Sequence, residues 1–321
     1  AAQAHQWGCW IQADRNVKVR NAGGSQASSA VSDWNSMTIL NITSVGSGEE
    51  SYLFNANSGA TGWAGIARIV SASGCTILRA TDQLNTYYIS SGSTSARGVH
   101  CQEVGHTFGL DHSNDGGCMG AGYWYDVATH YRPVSHNVTD IGNMYANRIA
   151  GNPAFPTVGP EVDTPRIHAF WYHTPHSLGE ATRLASEVVV ATVTGVAEGD
   201  AIELPSDAGS PIPTQRVFFE VKRGYKGSLG ASESFVLFQN GNNENRFDED
   251  PSYKVGHRYL LFLTPREDGT YLVISPEGRY EVTRRGLAPA AEKGFAAGLK
   301  GASLEDATAD VTRAIVETQQ Q

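Results

Sequence analysis

Residues 100–119, HCQEVGHTFGLDHSNDGGCM, contain the side chains of this chain that are best suited to chemistry. Four of them follow the spacing E-x-x-H-x-x-G-x-x-H: Glu103, His106, Gly109 and His112. A zinc hydrolase needs neutral nitrogen donors that converge on one point, together with a carboxylate that can accept a proton from the attacking water. The spacing therefore indicates a zinc site in which His106 and His112 bind the metal and Glu103 acts as general base.

The residue at position 102 is the candidate for the third metal ligand beside His106 and His112. Residues four apart on a helix share a face, so Gln102 is predicted to point toward the same metal as His106. Its side chain offers a neutral carbonyl oxygen, which is a harder and weaker zinc donor than imidazole. The motif therefore predicts a Gln102, His106 and His112 site, a weakened version of it, or a site that has lost its metal. Gly109 can adopt the left-handed conformation that ends a helix, so that the chain turns back and presents His112.

Other polar residues are alternatives for the same chemistry. His100 lies roughly 200° from Gln102 around a helix, so it is predicted to face elsewhere. Tyr123 and Tyr125 follow Met119 in the sequence and are candidates for a hydrogen bond to an oxyanion, although most such tyrosines are structural. The remaining histidines considered as a third donor rank below Gln102: His130, His136, His173 and His176.

Composition narrows the class of protein. The chain has 321 residues, 40% of them apolar, and a formal net charge of -9. This acidic balance, without a basic stripe, argues against binding to nucleic acid. No apolar run approaches the roughly 20 residues of a membrane-spanning helix. The chain begins AAQAHQWG, which is typical of a processed N-terminus and predicts a secreted, extracellular protein.

The amino-acid composition of the sequence changes across a proline-rich segment, GNPAFPTVGPEVDTP, at 151–165. Proline restricts the backbone and removes hydrogen-bond donors, which suits a linker. We predict a first domain at 1–155, a linker at 156–165 and a second domain at 166–321. Six Val-, Phe- and Tyr-rich runs in the second domain, separated by turn residues, indicate a mainly β barrel or sandwich, with an OB-like barrel as one form. A terminal helix is predicted at 303–319, capped by Ser303.

Three helices are predicted in the first domain, among short strand-like runs. Apolar residues recur at helical spacing over 27–40, and a ligand helix is predicted to begin near Ser95–Gly98. The last helix, at 138–149, is predicted to begin with Thr139 as its N-cap. The fold class predicted for the whole chain is therefore α+β.

The first domain resembles a secreted matrixin-type metzincin. The resemblance depends on Glu103, His106, Gly109, His112, Ser113 and Met119, on the segment GWAGIAR…ATDQLNTYYI before them, and on NVTDIGNMYANRI after them. The pattern C-Q-E-x-G-H-T-x-G-L-D-H is similar to a bacterial subset in which Gln occupies the first ligand position. The resemblance implies a twisted mixed sheet with a ligand helix, a Met-turn at Met119 beneath the metal, and Zn²⁺ as cofactor. A structural Ca²⁺ is a further expected cofactor.

The resemblance also bears on four cysteines, which allow three pairings that the sequence alone does not distinguish. In a metzincin-like fold the Met-turn lies under the metal, so that Cys101 of the ligand helix comes close to Cys118 beside Met119. We therefore expect the disulfides Cys101–Cys118 and Cys9–Cys75. The competing interpretation, a zinc site that uses Cys101, is disfavoured because the chain has no C-x-x-C pair. Disulfides imply an oxidising compartment.

The expected function is that of a secreted zinc endopeptidase, whose partner is a protein or peptide substrate. The alternative is a catalytically weak or inactive metzincin-like binding protein, which the glutamine at position 102 motivates. The second domain is an accessory module that could bind substrate, a surface or the catalytic cleft.

Overall fold

The computed structural model describes most of the chain: residues 5–113, 115–120, 130–148, 166–291 and 295–319. Two compact units divide it. Unit 1 consists of residues 1–59, 63–170 and 204–210. Unit 2 consists of residues 60–62, 171–203 and 211–321.

This division departs from the predicted domain boundaries in three short segments. Residues 166–170, predicted to open the second domain, belong to unit 1, because their strand pairs with a strand of the unit 1 sheet. Residues 204–210 also belong to unit 1, and residues 60–62 belong to unit 2. The predicted linker at 156–165 lies outside the described residues.

Unit 1 is built on a mixed sheet, in agreement with the α+β class predicted from the sequence. Its strands are β1 (Ile11–Gln12), β2 (Asn16–Ala22), β3 (Asn41–Ser44), β4 (Ser51–Ala56), β5 (Trp63–Ser73), β6 (Thr76–Asn85) and β7 (Arg166–Trp171). They follow the order β7-β5-β6-β4-β2-β3, and the short β1 pairs with β6. The pairings β2–β3, β2–β4, β4–β6 and β1–β6 are parallel, whereas β5 runs antiparallel to β6.

Within the described part of unit 1, three helices accompany this sheet: α1 (Gly24–Met37), α2 (Thr94–Thr107) and α3 (Ser135–Tyr145). Helix α2 packs against α1 and against β5 and β6, and every residue from Val99 to its end is buried. A helix that is buried on all sides belongs to the centre of its domain. Helix α2 therefore carries its polar side chains into the interior, where each of them needs a partner.

Helix α3 begins earlier than the sequence indicates, so the predicted N-cap is wrong. Thr139 lies inside the helix, where its hydroxyl donates to the Ser135 carbonyl at 2.8 Å. The N-terminus is instead held by Asn137, whose side chain accepts a hydrogen bond from the Val134 amide at 3.0 Å. An internal threonine can satisfy its hydroxyl on the preceding turn, which makes it hard to distinguish from a cap in the sequence.

Unit 2 contains a sheet that closes on itself. The strands of unit 2 are β8 (Glu187–Glu198), β9 (Thr214–Lys226), β10 (Ser234–Asn240), β11 (Arg246–Phe247), β12 (Arg258–Pro265), β13 (Tyr271–Val273), β14 (Arg279–Thr283) and β15 (Gly286–Pro289). The strand order of this sheet is β13-β10-β9-β8-β12-β14-β15, and an additional pairing of β13 with β12 makes a ring of five strands. Neighbouring residues of β8 alternate between two cores: Val189 and Ala191 lie in one, and Val188 and Val190 lie in the other. This alternation is the two-residue period of a strand with both faces buried. A barrel-like sheet, as predicted, thus has an inner core and an outer core.

The outer core is covered by helices. The described helices of unit 2 are α4 (Leu178–Leu184), α5 (Ala296–Leu299) and α6 (Leu304–Gln319). Ala181, Val311 and Ile315, from α4 and α6, pack with Leu260 and Phe262 of the sheet. Ser303 caps α6, as predicted, by accepting from the Asp306 amide at 3.0 Å.

Both predicted disulfides are confirmed. Cys9 pairs with Cys75, and Cys101 of α2 pairs with Cys118, which is 17 residues later in the sequence. A cross-link that closes a loop of that length stabilises a fold by about 3 kcal/mol in the chain-entropy model. Among the described helices, none is long and apolar enough to cross a membrane.

Candidate metal centre

Helix α2 carries the central residues of the candidate site. Ser93 caps its N-terminus by accepting from the Ala96 amide at 3.2 Å. Gln102, Glu103 and His106 follow in its second half, and all three are buried. Burial of three polar side chains on one helix is costly unless a hydrogen bond or a cation compensates them. The residues that surround these three polar side chains therefore define the candidate site.

His100 lies on a different side of the helix, as predicted. Its Nδ1 lies 2.7 Å from Asp82 Oδ2, and its Nε2 lies 3.0 Å from Asn55 Oδ1. Both His100 and Asp82 are fully buried, and burial raises the pKa of Asp82, against the lowering effect of His100. His100 therefore has two polar partners on the sheet and serves as a structural residue.

The turn after α2 returns the chain to His106. Gly109 has a φ of 93°, which confirms the predicted left-handed turn. A Cβ at this position would lie 2.1 Å from the Trp10 carbonyl oxygen, so only glycine fits. The turn places the Leu110 carbonyl oxygen 2.8 Å from His106 Nδ1. Since a carbonyl oxygen only accepts, His106 Nδ1 carries the proton and Nε2 presents its lone pair.

His106 and His112 approach each other through the nitrogens that a metal would use. Their Nε2 atoms are 3.2 Å apart. Two donor atoms of a tetrahedral zinc site, at bond lengths of about 2.0–2.1 Å, are about 3.3 Å apart. The separation of the two imidazoles therefore matches a shared cation.

A third histidine, His168 of β7, completes the cluster. The ligand nitrogens of His106, His112 and His168 all lie within 4.8 Å of one another. The ring of His168 stacks on that of His106, with centroids 4.3 Å apart, and Trp7 packs against His168 at 4.5 Å. Three neutral imidazoles are the donor set of a catalytic zinc site, so these residues fit the expected cofactor.

Asp111 supports the cluster from its edge. Its Oδ1 lies 3.4 Å from His168 Nε2. Burial acts to raise the pKa of Asp111, but the hydrogen bond and charge of His168, together with His112 and His106, hold that pKa well below its ordinary value. A carboxylate that stays ionised beside a ligating histidine orients the ring and increases its basicity. Asp111 thus positions His168.

Gln102 remains a predicted ligand. Its side chain is only 2% exposed, and its Oε1 atom has no hydrogen-bond partner among the described residues. A buried amide oxygen without a partner needs an explanation, such as an ion or a water molecule. Gln102 lies one helical turn before His106 on α2, so this oxygen is a candidate fourth donor beside the three histidines.

Glu103 fits against the sheet because position 65 of β5 is glycine. A Cβ on Gly65 would lie 2.3 Å from Val99 Cγ1 and 3.1 Å from Glu103 Oε1. Helix α2 can therefore approach β5 closely enough to bury the Glu103 carboxylate completely. The sequence contains the segment GWAGIAR around Gly65 but does not reveal this contact.

Gly65→Ala should lower the free energy of unfolding of unit 1 by about 1–3 kcal/mol, because the added methyl overpacks the contact with Val99 and Glu103. The control is Gly142→Ala in α3, where a Cβ meets nothing within 4 Å. Alanine is more stable than glycine inside a helix by about 0.5–1 kcal/mol, so this control should gain stability. Chemical denaturation measures both variants, and equal stabilities would show that Glu103 does not depend on Gly65 for its place.

Met119 lies beneath the ligand helix. It is fully buried, and a Cβ on Gly105 would meet its Sδ at 2.3 Å. Its carbonyl oxygen accepts a hydrogen bond from the Ser113 amide at 2.8 Å, next to His112. The Cys101–Cys118 disulfide links α2 to the segment that carries Met119. The methionine turn therefore supports the helix directly behind His106.

The other candidate site residues from the sequence either lie outside the described residues or do not belong to the cluster around His106. Tyr123 and Tyr125 lie outside the described residues, so their predicted contact with an oxyanion is not tested. His136 belongs to a separate group with His5 and Asp115. His173 and His176 are in neither of the metal-compatible groups found among the described residues. His168 was not considered from the sequence, although a histidine within the apolar strand IHAFW is a signal that a buried polar role exists.

No protein-family model matches the chain, and no curated protein is similar to it at a significant level.

Proposed function

We propose that this protein is a secreted zinc-dependent endopeptidase. The observation that carries the proposal is the convergence of His106, His112 and His168, with Glu103 buried on the helix that bears His106. Zinc, when bound, polarises the carbonyl of a peptide bond and makes water acidic enough to attack at neutral pH. The donor set and the nearby carboxylate are the two parts that such chemistry requires.

The residues of the chain have distinct roles in this proposal. His106, His112 and His168 hold the metal, and Asp111 and the Leu110 carbonyl orient their rings. Glu103 accepts a proton from the attacking water on its carboxylate and delivers it to the leaving amine. Trp7 covers one side of the cluster and limits the access of water.

The resemblance to matrixin-type metzincins supports the same proposal. A mixed sheet, a buried ligand helix, a glycine turn and a methionine beneath the helix are the parts that the resemblance implies. Secretion and a processed N-terminus belong to the proposal, and two disulfides are consistent with an oxidising compartment. A structural Ca²⁺, and the binding of substrate, a surface or the cleft by the second domain, remain predictions.

A second candidate function is a metal-containing binding module without peptidase activity. It is favoured by the number of donors, since Gln102 with His106, His112 and His168 makes four. Zinc sites with four protein ligands are usually structural, whereas catalytic sites keep one position for water or substrate. The role of Gln102 therefore separates the two candidates.

The test of the proposed function is cleavage of an unfolded protein such as casein. A zinc chelator should abolish the cleavage, and added Zn²⁺ should restore it, because the metal is needed to activate water. A pure, folded and zinc-loaded chain that cleaves neither casein nor gelatin would instead support the binding module.

Gln102→Ala should reduce zinc affinity far less than loss of a histidine, because a neutral amide oxygen is the weakest of the four donors. Gln102→His should bind zinc more tightly than the parent. Competition with a fluorescent chelator gives the zinc affinities of the parent and of the Gln102→Ala, Gln102→His and His168→Ala variants. If Gln102→Ala lowers zinc affinity as strongly as His168→Ala does, Gln102 is a full ligand and the site has four of them. No coordination position would then remain for water or substrate, which would contradict the peptidase proposal.

A further inference from the structure

We propose that unit 1 has a second metal centre, formed by His5, His136 and Asp140 with Asp115 at its edge, that takes a divalent cation of the zinc class. His5, Asp115 and His136 each offer one donor atom, and these atoms lie within 4.8 Å of one another. None of the four residues belongs to the cluster around His106. The site is independent of the proposed peptidase activity.

One donor atom each of His5, Asp140 and Asp115 lies within 3.2 Å of His136 Nε2. His5 Nδ1 lies 2.7 Å from His136 Nε2. Asp140 Oδ2 lies 3.1 Å from His136 Nε2 and 3.4 Å from His5 Nδ1. Asp115 Oδ2 lies 3.2 Å from His136 Nε2. Donors in a tetrahedral zinc site are about 3.3 Å apart when the bonds are about 2.0–2.1 Å long, so the three contacts that involve a carboxylate oxygen have the size of a coordination shell, whereas the contact between the two imidazoles is shorter.

A proton network explains these contacts less completely than a cation does. His5 Nδ1, His136 Nε2 and Asp140 Oδ2 form a triangle of mutual contacts, and each ring nitrogen carries at most one proton, so that protons satisfy at most two edges of the triangle. One cation satisfies all three atoms at once. Two imidazoles and one or two carboxylates are a mixed nitrogen and oxygen set, which suits Zn²⁺ and neighbouring transition metals better than Ca²⁺.

The positions of these residues on their secondary-structure elements also favour binding of one metal ion. His136 and Asp140 are four residues apart on α3, so they share a face. Asp140 is buried, and its Oδ2 also accepts a hydrogen bond from the His5 amide at 3.3 Å. A buried carboxylate that faces two histidines is expected to have a compensating charge.

The position of this centre suggests what it does. The His5 carbonyl oxygen accepts from the Asp111 amide at 2.8 Å, and the Trp7 amide donates to the Gly109 carbonyl at 2.8 Å. Residues 5–7 therefore pair with the turn that carries His112. A cation held by His5, His136 and Asp140 would fasten this N-terminal segment to α3 and so stabilise the turn.

The experiment loads the full chain with Zn²⁺ alone and measures bound zinc per chain after removal of free metal, together with the thermal unfolding midpoint. The parent should retain about two equivalents, and His136→Ala and His5→Ala should each retain about one, with a lower midpoint. His168→Ala identifies the equivalent that belongs to the other cluster. His176→Ala, which removes an exposed imidazole of unit 2, should match the parent.

The decisive comparison uses a His168→Ala background. There, Zn²⁺ should still raise the unfolding midpoint, and adding His136→Ala should remove this effect. His5 is half-buried near the start of the chain, so His5→Ala provides a second variant if His136→Ala does not fold. Parent-like zinc content in both His5→Ala and His136→Ala would overturn the proposal. Loss of peptidase activity alone would not affect it.

Discussion

Glu103→Gln is expected to lower kcat/KM for peptide hydrolysis by about 10²–10⁴-fold while zinc content stays at the parent level. The amide has nearly the same shape as the carboxylate, so it keeps the packing against Gly65 of β5. It cannot accept the proton of the attacking water, which is the role assigned to Glu103. Steady-state cleavage of a fluorogenic peptide, with zinc measured on the same sample, tests both parts.

The matched control is Glu317→Gln, which neutralises an exposed glutamate of α6. It should cleave at the parent rate, since its carboxylate is far from the metal-compatible clusters in sequence and lies on the surface. A Glu103→Gln variant that retains zinc and cleaves at close to the parent rate would show that another group moves the proton. A variant that loses zinc would show that Glu103 supports the metal site.

His168→Ala is expected to weaken zinc binding by more than about 100-fold, because even partners behind a ligating histidine contribute 10–100-fold in affinity. The variant should lose peptidase activity with the metal. His176→Ala removes an exposed imidazole in unit 2 and is expected to retain both properties. Chelator competition and casein cleavage measure the two effects.

The opposite result for His168 has a specific meaning. If His168→Ala cleaves faster than the parent and keeps its zinc, the imidazole blocks the position of water or substrate. Strand β7, which pairs with β5, would then act as an internal inhibitor. That outcome would keep Glu103 as general base and would remove His168 from the ligand set.

Local patterns in the sequence predict much of the structure around the site. The ligand helix, which is α2, the left-handed Gly109 and the Cys101–Cys118 disulfide agree with expectations from residues 100–119 and their resemblance to a known motif. Each of these features depends on residues within one or two turns, or on one turn beneath one helix. Short-range spacing contains this information.

Features that depend on distant segments could not be predicted, apart from the Cys9–Cys75 disulfide, which follows once Cys101 is paired with Cys118. His168 reaches the cluster because β7 pairs with β5, and a single sequence does not specify which strand joins which edge. The same reason applies to His5 and His136, which come together from the start of the chain and from α3. In unit 2 the sequence predicts the strand-like runs. The closure of β12 onto β13 depends on pairing between strands, which local sequence patterns do not encode.

Diffraction from crystals of the full chain, at energies just above and below the zinc absorption edge, is the most direct test of zinc binding by the three histidines. We expect an anomalous peak about 2.0–2.1 Å from nitrogens of His106, His112 and His168, with one coordination position left for water or substrate. The absence of zinc from this cluster in protein supplied with the metal, while the three histidines keep their places, would contradict this expectation.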